Sequence, residues 1–138
     1  MELHYHIVGG DFVNAGQASS SVKGVLKQLN VASHRIKRLV IALYEAEVNV
    51  VAHAYRGGIK VVIEPARAVI EVKDEGPGIE NIDQAMQEGF STASPRVREM
   101  GFGAGMGLPN IKRNSDDFAI ESTPGEGTVL RIINHLRD

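Results

Sequence analysis

The segment 34–55 sets the strongest constraint on the fold. On a helical wheel Ile36, Leu39, Val40, Leu43, Ala46 and Val50 share one face. Ile41, Val48 and Val51 carry the apolar surface well round the cylinder. A helix of this kind has to be covered on most sides, so the rest of the chain must wrap it. One polar row interrupts it. Glu45, Asn49 and His53 fall at i, i+4 and i+8, with neighbours roughly 6 Å apart. A carboxylate and a carboxamide so placed can orient a nucleophile and hold a hard cation. Mg²⁺ takes oxygen ligands and keeps several waters, so one protein amide plus phosphates is enough. The plain alternative is a solvated polar stripe. His53 alone reads as a helix-end or packing histidine. Glu47 falls near the apolar face, where the wheel gives it no task.

The flanking segments supply the cover. Residues 3–8 alternate as a first strand, ended by Gly9-Gly10, and 16–29 carry Ala18, Val22, Val25, Leu26 and Leu29 at helical spacing. Asn30 stops that helix and Ser33 supplies the next N-cap. Gly57-Gly58 end the long helix. Two β-branched runs, 59–63 and 68–73, flank the turn Glu64-Pro65-Ala66-Arg67, a hairpin signal. Residues 74–107 read as loop with a short helix near 82–88. A helix over 108–114 opens at Pro109. Strands 118–122 and 128–134 follow, joined by Thr-Pro-Gly-Glu-Gly. Antiparallel hairpins with segregated helices make an α+β domain, helices layered on one face of a sheet. A length of 138 residues suits one domain, 1–138.

Composition excludes several chemistries. There is no cysteine, which removes a disulfide framework, a thiolate metal site and a cysteine nucleophile. Fifteen Lys and Arg against 17 Asp and Glu, scattered along the chain, argue against a nucleic-acid partner. No apolar run is long enough for a transmembrane helix, and the opening residues lack a signal-peptide pattern. A cytoplasmic protein without a membrane partner is expected.

Two glycine-rich segments carry the chemistry. Strand 69–73 runs into Asp74-Glu-Gly-Pro-Gly-Ile79. Glycines there let backbone approach a flat ligand, and the carboxylate can accept from an exocyclic amine such as that of adenine. An ordinary turn is the alternative. Gly101-Phe-Gly-Ala-Gly-Met-Gly107 then places glycine at every second position before a helix. Backbone N–H groups in such a segment bind phosphate oxygens. No strand directly precedes it and no Gly-Lys-Ser/Thr follows, so it is neither a dinucleotide fingerprint nor a Walker loop.

The ordered trio, Glu45 and Asn49 on a helix, Asp74-x-Gly76-x-Gly78 after a hairpin strand, and alternating glycines before a helix, resembles the N, G1 and G2 boxes of the GHKL (Bergerat-fold) ATPases. Among these the chain is similar to the stand-alone bacterial anti-sigma factor/serine-protein kinases of the SpoIIAB, RsbW and RsbT type. The stretches 49–55, 72–79, 89–95 and 105–113 carry that likeness. The resemblance implies a two-layer sandwich with a mixed, mostly antiparallel sheet. It implies ATP and Mg²⁺ as cofactors, Glu45 as general base, Asn49 as Mg²⁺ ligand and Asp74 as acceptor for the adenine amine. Gly76, Gly78 and Ile79 would line the base, with Thr128 closing its pocket and His53 in the nucleotide-binding set. Gly103, Gly105, Met106, Gly107 and Leu108 would form the phosphate side, with Arg98 as γ-phosphate partner. The implied activity is a protein serine/threonine kinase acting on a STAS-domain antagonist. The alternatives are an anti-sigma factor that mainly sequesters a sigma factor, and an ATPase without a protein acceptor. A homodimer stays open.

Overall fold

The structure is a computed structural model, and it describes residues 1–87 and 107–138. Its elements are β1 (Glu2–Val8), a 3-10 turn (Phe12–Asn14), α1 (Gln17–Gln28), α2 (Ser33–His53), β2 (Arg56–Ile63), β3 (Arg67–Glu75), α3 (Ile82–Ala85), α4 (Gly107–Arg113), β4 (Asp117–Thr123) and β5 (Gly127–His135). The strands form one sheet in the order β1-β2-β3-β5-β4.

Each pairing in that sheet is antiparallel, so among the described residues the expected parallel component is not present. The cause is where β4 goes. It takes the outer edge, and its hairpin returns β5 beside β3 in the opposite sense. One face of the sheet is apolar, built from Ile59, Val61, Ile70, Val72, Leu130 and Ile132, and α2 packs on it. The other face shows Lys60, Glu71, Lys73 and Arg131 to solvent. Alternate residues point to opposite faces, so the register alone enforces this division.

Three boundaries differ from the sequence reading. The long helix ends at His53, with Ala54 extended at φ −107°. Gly57 and Gly58 do not cap it but pair inside β2. A side chain at Gly57 would meet Val50 Cγ1 at 2.9 Å, so glycine there serves strand-on-helix packing. Asp74 and Glu75 belong to β3, not to the loop. Ser33 is the first helical residue of α2 and not its cap, which is Ala32. Asn30, at φ +59°, ends the preceding segment as expected.

Glu47 proves to be a structural residue. It is 1% exposed. Its carboxylate accepts the N–H groups of Gly16 (2.9 Å), Ala18 (3.2 Å) and Ser19 (3.1 Å), and the Ser19 hydroxyl at 2.7 Å. The first N–H groups of a helix have no intrahelical partner, and α1 has no side-chain cap of its own. Glu47 supplies the acceptor from the neighbouring helix, with the charge the N-terminus favours. The basic residues are also less scattered than a linear reading suggests. Between Phe12 and Tyr44 lie five Lys and Arg and no Asp or Glu, but Arg35 pairs with Asp138 and Arg38 with Asp116 across the fold.

A buried donor left without its acceptor costs about 1–3 kcal/mol, so the donors held by Glu47 together amount to several kcal/mol. Glu47→Ala is expected to lose that much unfolding free energy in denaturant titration. Glu45→Ala, half-buried and two residues away, is expected to lose under about 1 kcal/mol. Equal losses in the two variants would contradict the clamp.

Candidate functional site

Among the described residues, the expected site residues fall in two clusters that share α2 and its C-terminal end. The first joins the β3 exit to the β4–β5 turn. Asp74 pairs with Gly57 in the sheet and is half-buried. Its Oδ1 accepts the Thr128 N–H at 3.0 Å. Among the described residues its other oxygen accepts nothing, so one edge of the carboxylate remains for a ligand amine. Burial pushes the Asp74 carboxyl above the usual aspartate range, and the Thr128 N–H pulls the other way.

Close backbone contacts hold this cluster. The Gly76 N–H donates to Glu126 O (3.1 Å) and the Gly125 N–H to Pro77 O (2.7 Å), zipping the two glycine turns together. A Cβ at Gly76 would lie 2.9 Å from Ala54 Cα, just beyond the end of α2. Gly78 has φ +74°, and a Cβ there would lie 2.5 Å from Thr123 O. At Gly127 a Cβ would strike Asp74 O at 2.1 Å. None of these three positions admits a side chain without a shift of backbone.

Ser122 is a member that sequence reasoning missed. Its hydroxyl accepts the Ile79 N–H (2.7 Å), donates to Gly127 O (3.1 Å) and contacts Thr128 Oγ1 at 2.8 Å. It therefore fixes Ile79 and Thr128 relative to each other beside Asp74. The signal was available: Phe118, Ile120 and Ser122 alternate on the inward face of β4, and a polar residue ends that apolar run.

The second cluster lies where α4 docks on α2. Asn49 faces the first residue of α4, since a Cβ on Gly107 would come within 2.9 Å of Asn49 Oδ1. One turn back, Glu45 meets Asn110, whose Nδ2 lies 3.5 Å from Glu45 Oε1. Burial raises the Glu45 carboxyl above its usual range, and the Asn110 amide opposes this. Leu108 is buried in the core cluster. His53 ends α2 beside Gly76, and burial lowers its basicity. Arg98, Gly103, Gly105 and Met106, and the stretch 89–95, lie outside the described residues.

Chemically, the first cluster offers one carboxylate edge beside side-chain-free backbone, which suits a planar base with an exocyclic amine. The second offers a desolvated carboxylate and an amide oxygen one turn apart, beside the start of a helix. Among the described residues no cluster of three or more His, Asp or Glu could hold a metal by itself. The Asn49 amide oxygen, set against the bare backbone of Gly107, is of the donor type that suits a hard cation arriving with its own phosphate oxygens.

The raised Asp74 pKa makes the ligand-free chain pay for its site. The charged carboxylate is less stable folded than unfolded. That cost is absent below the ordinary aspartate pKa and fully present above the raised one, so stability falls as pH rises between them. Asp74→Asn keeps the acceptor for Thr128 and removes the charge. Chemical denaturation across that window should show its stability equal to or above wild type at neutral pH, with the slope flattened. A variant clearly less stable at neutral pH would count against this assignment.

Comparison with known proteins agrees with the geometry. Residues 11–134 match the family described as a histidine kinase-like ATPase domain. An anti-sigma F factor of Caldanaerobacter subterraneus subsp. tengcongensis is 34% identical over 128 residues, 89% of this chain and 86% of that protein. The serine/threonine-protein kinase RsbT of Bacillus subtilis is 34% identical over 119 residues, 83% and 84% of the two chains. Among solved structures, the mycobacterial sensor histidine kinase MprB superposes with a TM-score of 0.57 at 16% identity, over 98% of this chain and 99% of its own. A chain of the SiaB-SiaC complex from Pseudomonas aeruginosa gives 0.60 at 13%, over 95% and 89%. These two share the fold. With three ordered motifs, the antiparallel sheet with its helical layer and the family match in agreement, the chain belongs to the histidine kinase-like ATPase domain family.

Proposed function

We propose that this chain is a single-domain protein serine/threonine kinase of the anti-sigma regulatory type, using Mg·ATP to phosphorylate a serine of a STAS-domain antagonist. The observation that carries the reading is the pairing of Glu45 and Asn49 on one row of α2, directly against α4 at the end of the glycine-rich segment. The names of the relatives, a serine/threonine kinase and anti-sigma factors, support it.

In this reading Asp74 accepts the adenine amine, Gly76, Gly78 and Ile79 line the ring, and Thr128 closes the pocket. His53 stands behind that pocket at the end of α2. Asn49 holds Mg²⁺, which would neutralise phosphate charge when bound with the nucleotide. Gly103, Gly105, Met106, Gly107 and Leu108 contribute the phosphate side through backbone N–H groups, and Arg98 meets the γ-phosphate. Glu45 takes the proton as the acceptor serine Oγ bonds to the γ-phosphorus and ADP departs. Phosphoryl transfer needs positioning and charge neutralisation above all. A carboxyl with a burial-raised pKa is a better proton acceptor than an exposed one, which suits Glu45 to this work.

Between α1 and α2 lies a groove whose lining includes Gln17, Ser20, Lys23, Val40 and Tyr44. Relatives named anti-sigma F factor favour a second reading, in which this surface chiefly sequesters a sigma factor. No described helix is long and apolar enough to cross a membrane, in keeping with a cytoplasmic switch.

Transfer of label from γ-labelled ATP to STAS-domain proteins of the same organism tests the proposal. Asn49→Ala should abolish Mg²⁺-dependent transfer while the far-ultraviolet dichroism stays native. Glu45→Ala should keep ATP binding and slow transfer by about 10²–10⁴-fold, the range of a general base. Asp74→Asn should weaken ATP binding about 10–100-fold, the loss of one charged hydrogen bond. Full transfer by Asn49→Ala would reject the reading. Tight ATP binding with no labelled acceptor, but a sigma factor retained, would move the assignment to the sequestering module.

A further inference from the structure

Asn110 has no assigned role in the three motifs, although it falls within the stretch 105–113. It is half-buried on α4, four residues before Asn114, and faces the α2 row that carries Glu45. Its two amide ends are distinguishable. Arg113 Nη1 donates to Asn110 Oδ1 at 3.1 Å, which identifies that atom as oxygen. The NH₂ end is thereby directed at Glu45 Oε1, 3.5 Å away. The backbone of Asn110 is tied as well, its carbonyl accepting both the Asn114 N–H (3.1 Å) and the Asn114 side-chain amide (2.9 Å). One turn along, Gly107 abuts Asn49. Helix α4 thus contacts both polar residues of α2, one through a side-chain amide and one through bare backbone.

We propose that Asn110 is a positioning residue for phosphoryl transfer: its side-chain amide, braced by Arg113, holds the Glu45 carboxylate in the orientation that receives the acceptor proton. The inference rests on the kinase reading of Glu45. A 3.5 Å contact is long for a hydrogen bond. Hydrogen bonds of this kind lengthen in free enzymes and tighten when substrates are bound. The arrangement also accounts for a polar side chain at this place. Leu108, Pro109 and Ile111 of the same helix are buried, and Asn110 fills the position where α4 crosses a carboxylate rather than the core. Through α4, the end of the glycine-rich segment and the general base are parts of one rigid contact.

The test compares an amide, its truncation and its isosteric carboxylate in the full-length chain. Single-turnover transfer to the labelled acceptor is measured with ATP affinity and thermal stability for each variant. Asn110→Ala should slow transfer roughly tenfold, the effect of one lost charge-assisted hydrogen bond, with ATP affinity unchanged. Asn110→Asp keeps the shape but replaces the donor by a second negative charge, so it should be slower than the alanine variant. A residue that merely packs would give the reverse order. In the Glu45→Ala background, Asn110→Ala should have no further effect, because Asn110 acts only through Glu45. An aspartate variant as fast as wild type, or an equal loss from Asn110→Ala in both backgrounds, overturns the proposal while the kinase reading stands. Wild-type transfer by Glu45→Ala overturns both, and does so by a different signature.

Discussion

The buried carboxylate of Glu47 is the interaction on which the helical layer depends. Without it three N–H groups at the start of α1 and a serine hydroxyl would be buried with no acceptor. With it, α1 is fastened to α2 at a defined register, and the groove between them takes its shape. The arrangement follows from helix geometry. Positions 45 and 47 differ by about 200° around the axis, while 45 and 49 lie on one row. Glu47 therefore turns to α1 and Glu45 and Asn49 turn to α4. Two carboxylates two residues apart face opposite sides of one helix, one bound to α1 and one set against α4.

At the other end of α2 the site is assembled by missing side chains. Gly57 lets β2 pass Val50, Gly76 lets the β3 exit pass Ala54, and Gly127 lets β5 pass Asp74. Each contact is closer than a Cβ allows. Together they bring the Asp74 carboxylate beside Thr128 and Ser122 and place it at the end of the helix that carries Asn49. The raised Asp74 and Glu45 pKa values are consequences of the same packing, since both carboxyls are withdrawn from water by the elements they bridge.

Much of this was legible in the sequence, for a physical reason. Helical period, hairpin turns and glycine-rich segments are local signals, so the element order and the one-sided helical layer could be read from residue types and spacing. Gly57-Gly58 misled because the same residues that end helices also permit close strand packing, and only the partner, Val50, distinguishes the two. Glu47 and Asn110 were beyond reach in a stronger sense. Their importance lies in tertiary partners 28 to 65 residues away. A helical wheel exposes Glu47 as misplaced but cannot say what it caps. Asn110 reads as an ordinary helix residue until α4 is set against α2.

The central claim is that one nucleotide lies along α2, base at Asp74 and phosphates at Asn49. Mapping backbone amide shifts of the full chain on titration with Mg·ATP tests this most directly. The account predicts that Gly76, Gly78 and Thr128 move together with Asn49 and Gly107, at one common saturation. Shifts confined to the open sheet face or to the α1–α2 groove, with those five amides unmoved, would contradict it.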